Sequence, residues 1–296
     1  MKFILHLFFL LLLLFTKSVL GQETAPNYLM YHYNMNILNA AYAGVSDKTE
    51  VAVGFRKKSM DVQNDPTTQY ASYSKNVGHN LGLGLSLIND KVFISAQTDV
   101  VVDASYKLQL DRYTNLYFGM KAGGAFYTID FNSLAENDPL FSGNESTFSP
   151  LIGVGAYLKS ERYYINLSIA NLVLSEVQKP KVNSSGEVIS EITKEKSHMY
   201  LGGGYRFLVS ETIDLTPSFF SRIVTGEEVL LDISATADFS NLVEAGLTYR
   251  VDTSVIFSLL LKVINDTHFG YAYESSTSDF SSVSSGAHEF VVKFQW

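Results

Sequence analysis

A histidine beside a carboxylate is the pairing that general acid–base chemistry needs, and the sequence offers it at His288-Glu289. Neighbouring residues in a strand point to opposite faces, so these two cannot share one substrate atom if the segment is extended. The other histidines beyond the leader, His32, His79, His198 and His268, fall on separate segments without an evident serine or carboxylate partner. Asp65, Asp90 and Asp138 sit in separate loops, and no histidine pair has ligand spacing, so no metal is expected. Gly82-Leu-Gly84 and Gly202-Gly203-Gly204 lack the helix start and lysine of a phosphate loop, and read instead as places of close backbone approach. The absence of cysteine removes disulfides, thiolate zinc sites and a cysteine nucleophile. An enzyme and a bound cofactor are therefore not expected. What remains is recognition by a set of charged side chains, and which face they occupy depends on the elements that carry them.

Those elements alternate with period two. From Thr98 to Leu110, every second residue is apolar after Thr98 (Val100, Val102, Ala104, Tyr106, Leu108, Leu110), and the intervening residues are polar apart from Val101. Residues 228–239 repeat the pattern, with Val229, Leu231, Ile233, Ala235, Ala237 and Phe239 on one face. Beyond the first residues no apolar run is long enough for a membrane helix. Alternation gives fourteen strands at 50–58, 68–77, 81–89, 98–110, 114–127, 150–158, 163–171, 198–209, 212–223, 228–239, 242–251, 254–264, 268–274 and 288–296.

One-sided strands suit a soluble sandwich or a membrane barrel equally, and the connections separate the two. The turns 78–80, 111–113, 159–162, 210–211, 240–241 and 265–267 are all short and all fall at one end of the sheet. The connections 59–67, 90–97, 128–149, 172–197 and 275–287 fall at the other end and are longer, with 224–227 and 252–253 as short exceptions there. Short periplasmic turns opposite long extracellular loops are the asymmetry of an outer-membrane β-barrel. The expected fold is thus all-β, an antiparallel transmembrane barrel of about 14 strands.

The composition agrees. The chain of 296 residues carries 18 Tyr and 20 Phe, and its single Trp is the last residue, Trp296. Tyr106, Phe118, Phe126, Tyr157, Tyr163, Tyr249 and Tyr271 lie near strand ends, where aromatic rings favour the headgroup level. The last strand places His288, Phe290, Val292, Phe294 and Trp296 on one outward face. Its aromatic final residue looks like the C-terminal signal by which outer-membrane barrels are handed to their assembly machinery. With 30 acidic against 22 basic residues, the chain lacks the footprint of a nucleic-acid binder. Lys2, the apolar run Phe3–Phe15 and the small residues up to Gly21 read as a signal peptide over 1–21, followed by no lipid-anchoring cysteine. Residues 22–48 form an N-terminal periplasmic or lumenal segment without clear alternation, and residues 49–296 form the barrel.

Several blocks then resemble one family. Tyr31 to Gly44, with Asn39, Ala40, Tyr42 and Gly44, is similar to an N-P-A-Y-A-G signature, with Ala40 in place of proline. Gly82 to Lys91, containing Asn89 and Asp90, resembles G-L-G-x-S-x-x-N-D. Lys121 to Asp130, leading to Asn137-Asp138-Pro139, and Glu161 to Leu172, with Ala170 in place of proline, match further blocks, and Gly286-Ala-His288-Glu289 resembles G-x-H-E. In order and spacing these are similar to the PorP/SprF family of type IX secretion system outer-membrane proteins. The resemblance implies a non-enzymatic barrel working with other components of the type IX secretion and gliding machinery. Its implied partner is a secreted or surface-anchored cargo protein, often a large adhesin with a C-terminal sorting domain.

Alternation turns Arg56, Asp103, Lys107, Lys121, Arg206, Asp232, Glu244, Arg250 and Lys262 inward. Of these, Arg56, Asp103, Lys121, Arg206, Glu244, Arg250 and Lys262 are the candidate lumen and partner-binding residues. Such a lumen either holds a polypeptide, conducts as a water-filled pore, or pairs its own charges across the bore. Residues 22–47 either fold back as a partial plug or lie against a periplasmic partner. Two functions follow: assistance to the secretion or anchoring of a specific cargo, or porin-like transport of solutes or small hydrophobic molecules.

Overall fold

A computed structural model describes residues 28–58, 65–131, 144–182, 188–264, 266–277 and 286–296. The expected signal peptide and the block 137–139 lie outside them. The strands are β1 Glu50–Lys57, β2 Thr67–Gly78, β3 Leu81–Val92, β4 Ser95–Gln109, β5 Asn115–Asp130, β6 Asn144–Lys159, β7 Tyr163–Ile169, β8 Glu176–Val182 and β9 Val188–Lys194. They continue with β10 His198–Tyr205, β11 Phe207–Ser210, β12 Ile213–Val224, β13 Leu230–Phe239, β14 Val243–Arg250, β15 Ser254–Ile264, β16 Thr267–Ser276 and β17 Ala287–Gln295. Each wall strand pairs antiparallel with its neighbours, and β1 closes on β17 in the register Glu50↔Gln295 to Lys57↔His288. β10 and β11 form one wall strand interrupted at Arg206, which gives a closed barrel of 14 strands. Closure leaves no lipid-facing edge with unpaired backbone groups.

The wall is greasy outside and polar within, as lipid requires. Leu81, Leu83, Leu85 and Leu87 of β3 point outward, and Gly82, Gly84, Ser86 and Ile88 point inward. In β17 the outward residues include Phe290 and Phe294, while Glu289, Val291 and Lys293 are buried. Periplasmic hairpins are tight: Ser240 and Asn241 both take positive φ, closed by Leu242 N donating to Phe239 O at 3.0 Å. That is type I′ geometry, which matches strand twist. Among the described residues no helix is long and apolar enough to cross a membrane.

Four expectations need correction. The connection 90–97 is a tight turn, because β3 and β4 stay paired up to Val92↔Ser95. β5 and β6 likewise run on to Asp130↔Asn144. At 15 and 16 residues β4 and β5 exceed the about 9–11 that a tilted strand needs to cross, so they rise above the outer surface. There both faces are wet and alternation fades, which hides the extension from the sequence. The connection 172–197 contains a hairpin, β8–β9, paired from Glu176↔Lys194 to Val182↔Val188. Tyr157 is not interfacial: it points into the barrel and is 7% exposed.

Residues 28–48 lie inside the wall. They comprise a 3-10 turn at Tyr31–Tyr33, a short helix α1 at Met35–Leu38, and a second 3-10 turn at Ala40–Tyr42. At the periplasmic rim the segment joins β1, where Thr49 N donates to Trp296 O at 2.8 Å and Trp296 N returns a bond to Thr49 O at 3.1 Å.

Candidate functional site

The bore of the barrel is filled by its own N-terminal segment. Apolar side chains from Tyr28, Leu29, Met30, Tyr31, Met35, Ile37 and Leu38 pack with Tyr70, Ile88, Tyr200, Phe220, Ile256 and Val291 of the wall. Tyr31 stacks on Phe220 with ring centroids 4.2 Å apart. Burying a backbone segment in a polar lumen leaves donors and acceptors that must be met, and inward wall residues meet them. Glu289, 0% exposed, accepts from Leu29 N at 2.6 Å and from Tyr70 Oη at 2.7 Å. Ser168 Oγ donates to Leu38 O at 2.9 Å, Ser74 Oγ accepts from Gly44 N at 2.8 Å, and Ser105 Oγ donates to Ala43 O at 2.5 Å.

Asn39 is the centre of the lower seat. Its Nδ2 donates to Asn166 Oδ1 at 2.5 Å and to Ala156 O at 3.1 Å, while its Oδ1 accepts from Ala41 N at 2.9 Å and caps the second 3-10 turn. The wall is smooth where this turn lies. A Cβ on Gly82 would collide with the Ala43 carbonyl, one on Gly119 with Ala41, and one on Gly155 with the Asn39 amide. Gly44 has φ +67°, and a Cβ there would sit 2.6 Å from Gly82 Cα. Wall glycines and the segment's own glycine therefore permit one close approach.

The sequence profile of a family described as "Type IX secretion system membrane protein PorP/SprF" matches residues 20–294. The chain belongs to that family. It is a type IX secretion outer-membrane β-barrel, and family and fold point to a secretion or transport component rather than an enzyme. No curated protein matches it in sequence. In fold it is similar to the Ralstonia pickettii toluene transporter TbuX, with TM-score 0.52 and 8% identity over 88% of this chain and 92% of that one. It is also similar to the CymD monoaromatic hydrocarbon channel, with TM-score 0.52 and 10% identity over 88% of this chain and 91% of that one. At such identities the likeness is one of fold alone.

The PorP/SprF motif residues divide by role. Asn39, Tyr42 and Gly44 belong to the lumenal segment, with Tyr42 set edge-on against Tyr157 at 5.3 Å. Asp90 points inward and accepts from Thr68 Oγ1 at 2.5 Å, whereas Asn89 is on the outer face, donating to Thr98 Oγ1 at 2.8 Å. Gly286, at φ +101°, leads into β17. His288 points outward beside Tyr271 Oη at 2.8 Å, opposite to Glu289, which holds the segment.

Of the candidate lumen residues, five are brought to the bore and engaged there. Lys121 Nζ lies 3.2 Å from Asp103 and donates to Ile37 O at 3.0 Å, and Asn36 Nδ2 donates to Asp103 at 3.1 Å. Glu244 accepts from Tyr33 Oη at 2.5 Å. Nearer the extracellular end, Arg250 clasps Asp232 at 2.8 and 2.9 Å and reaches Glu274 at 2.9 Å, while Arg56 meets Glu274 at 3.4 Å. Lys262 stands at the periplasmic mouth. Arg206 stands exposed at the periplasmic end, between β10 and β11 and 3.7 Å from Asp214. The pairing with β12 keeps one register across it, from Gly204↔Ser218 to Phe207↔Leu215.

Glu274, Asn166 and Glu195 were missed. A hub such as Glu274 needs two arginines from other strands, and no local spacing announces that. Glu195 closes the extracellular end, accepting from Ser149 Oγ at 2.6 Å, Asn171 Nδ2 at 3.3 Å and the Tyr127 hydroxyl. With it the β8–β9 hairpin leans on the inner wall, Val177 packing with Val101, Ala125, Tyr127 and Leu151.

At the other end a polar vestibule of about 490 Å³ opens, lined in part by Lys48, Glu50, Lys159, Lys262, Asp266, His268 and Lys293. Lys293 pairs with Glu50 at 2.9 Å, and Asp266 is held by Lys262 at 2.9 Å and by Lys48. These two lysines hold the Asp266 carboxyl down at about 2. The histidines remain on separate elements, and the described residues contain no group of three or more His, Asp or Glu placed to hold a metal ion.

Proposed function

We propose that this barrel is a secretion accessory that engages one specific secreted protein at its extracellular face, assisting its export or holding it at the cell surface. The observation that carries the reading is the filled bore: residues 28–45 occupy the lumen, and the charged wall residues bind that segment and one another. A lumen occupied in this way supports protein recognition at its ends over conduction through its middle. The extracellular end offers the β8–β9 hairpin and the raised strands β3–β6 to a cargo. The periplasmic end offers the vestibule to other components of the secretion machinery.

Deletion of residues 172–197 tests the reading in cells. The barrel is expected to assemble, shown by heat-modifiable migration, while one large surface protein disappears from the cell exterior. Unchanged surface display of every secreted protein contradicts it.

A further inference from the structure

The outer wall carries an aromatic row towards its extracellular border, and that row has a polar gap. Cross-strand register sets Tyr271, Phe290 and Phe55 side by side on β16, β17 and β1, and Phe126 beside Phe148 on β5 and β6. All five rings are exposed on the lipid-facing side. Between them, on β2, β3 and β4, the same register holds Gln69, Asn89 and Thr98. Aromatic rings are the usual occupants of that level, so a run of amide and hydroxyl side chains departs from it. Asn89, a motif residue that takes no part in the lumen, is at the centre of the gap and donates to Thr98 Oγ1 at 2.8 Å. Its own carbonyl, the Thr98 hydroxyl proton and the Gln69 amide can bond to groups beyond the wall.

The next outward row above the gap reads His288, Lys57, Thr67, Lys91 and Ala96. It holds two lysines and no carboxylate, in a chain with more acidic than basic residues. Lys57 and Lys91 flank Thr67 from the two neighbouring strands, so their Cα atoms lie roughly 10 Å apart. At the tilt usual for such barrels, Lys91 stands about 26 Å above Leu81 along the membrane normal, against an apolar band about 25 Å tall. The lysines thus sit where acyl chains give way to headgroups, the level at which a charge on the lipid side costs least.

What covers this face follows from the fold, because the outer wall of a membrane barrel meets lipid. We infer that Lys57, Lys91, Gln69, Asn89 and Thr98 form a binding site for one phosphorylated glycolipid of the outer leaflet, with the lysines on phosphate and the gap on sugar. The two chemistries together select the occupant. Lysine binds phosphate as a point charge, and clustered lysines draw anionic headgroups. Amides and a hydroxyl offer donors and acceptors together, as sugar hydroxyls require. A simple phospholipid would engage the lysines and leave the gap unused. Phe55 and Phe126 border the gap and face the acyl chains. The site lies outside the bore and is independent of the cargo that the barrel serves.

Native mass spectrometry of the mature barrel in detergent tests it, with diphosphoryl lipid A, the same lipid stripped of phosphate, and phosphatidylglycerol as probes. One diphosphoryl molecule is expected to bind at least tenfold more tightly than either of the others. Lys57→Gln combined with Lys91→Gln should remove the preference for the phosphorylated form. Gln69→Leu combined with Asn89→Leu should bring lipid A down to the level of phosphatidylglycerol. Heat-modifiable migration checks that both double variants assemble. Lys75→Gln, at an exposed lysine towards the periplasmic end of β2, should change nothing. Equal binding of the phosphorylated and stripped lipids by the parent chain overturns the proposal without any variant. So does a phosphate preference that survives both lysine substitutions or is lost equally in Lys75→Gln, and so does phosphatidylglycerol binding as tightly as lipid A.

Discussion

Asn39 of the lumenal segment and Asn166 of β7 face each other across the bore, with the Asn39 Nδ2 donating to Asn166 Oδ1 at 2.5 Å. Both side chains are fully buried, and Asn39 also caps the turn that places Tyr42 and Gly44. One residue thereby shapes the segment and fixes it to the wall.

Asn39→Ala should release the lower part of the segment. It leaves Asn166 without its donor in a site shut off from water, a loss of about 1–3 kcal/mol. The barrel wall should stay assembled while limited proteolysis cuts the 28–48 region faster than in the parent chain. Unchanged proteolysis contradicts the assigned seat.

Gly82→Val tests the close approach instead of the hydrogen bond. A side chain there enters the space of the Ala43 carbonyl, so the wall must lose its hold on 43–44. Because valine favours strands, β3 itself should not suffer. The expected result is the same proteolytic exposure as in Asn39→Ala, with heat-modifiability retained; a valine variant as protected as the parent contradicts it.

Arg250→Met removes the cation between Asp232 and Glu274. Leaving buried Asp232 unpaired costs roughly 3–5 kcal/mol. The midpoint of urea unfolding in lipid should fall accordingly, and Arg250→Met paired with Asp232→Leu should recover most of the loss. A single variant as stable as the parent contradicts the pairing.

Asp266 ties the exit of the segment, through Lys48, to the turn before β16. Its carboxyl titrates at about 2 in the folded chain against 3.8 ordinarily, pulled down first by the Lys48 hydrogen bond and then by that of Lys262. A depressed carboxyl stabilises the fold above its unfolded value, and that contribution fades as pH falls from about 4 through about 2. The pair is exposed and screened by salt, so its contribution is small. Carboxyl NMR titration should give a midpoint near 2, moving upward in Lys48→Ala; a midpoint that ignores Lys48 contradicts the tie.

The parts of the fold legible in the sequence are those that lipid dictates. Val100, Val102 and Tyr106 of β4, and Phe290 and Phe294 of β17, must be apolar outside, so alternation reveals the wall and the loop lengths reveal its orientation. Where lipid ends, legibility ends. The upper parts of β3 to β6 are wet on both faces and read as loops, and β8–β9 was hidden for the same reason. The inward course of Arg56, Asp103, Lys121, Glu244 and Arg250 follows from period two, yet their partners do not, because Glu274, Asn166 and the carbonyls of α1 come from distant stretches. The motif around Asn39 was visible as a motif, but its role as a lumenal seat appears only when Gly82, Gly119 and Gly155 are seen beneath it.

Single-channel recording in planar bilayers tests the central claim most directly, comparing the mature chain with one lacking residues 28–45. The filled bore predicts no steady current from the mature chain and a large steady current from the deleted one. A steady current of equal size from both would show that the segment does not occupy the bore, and would restore the porin reading.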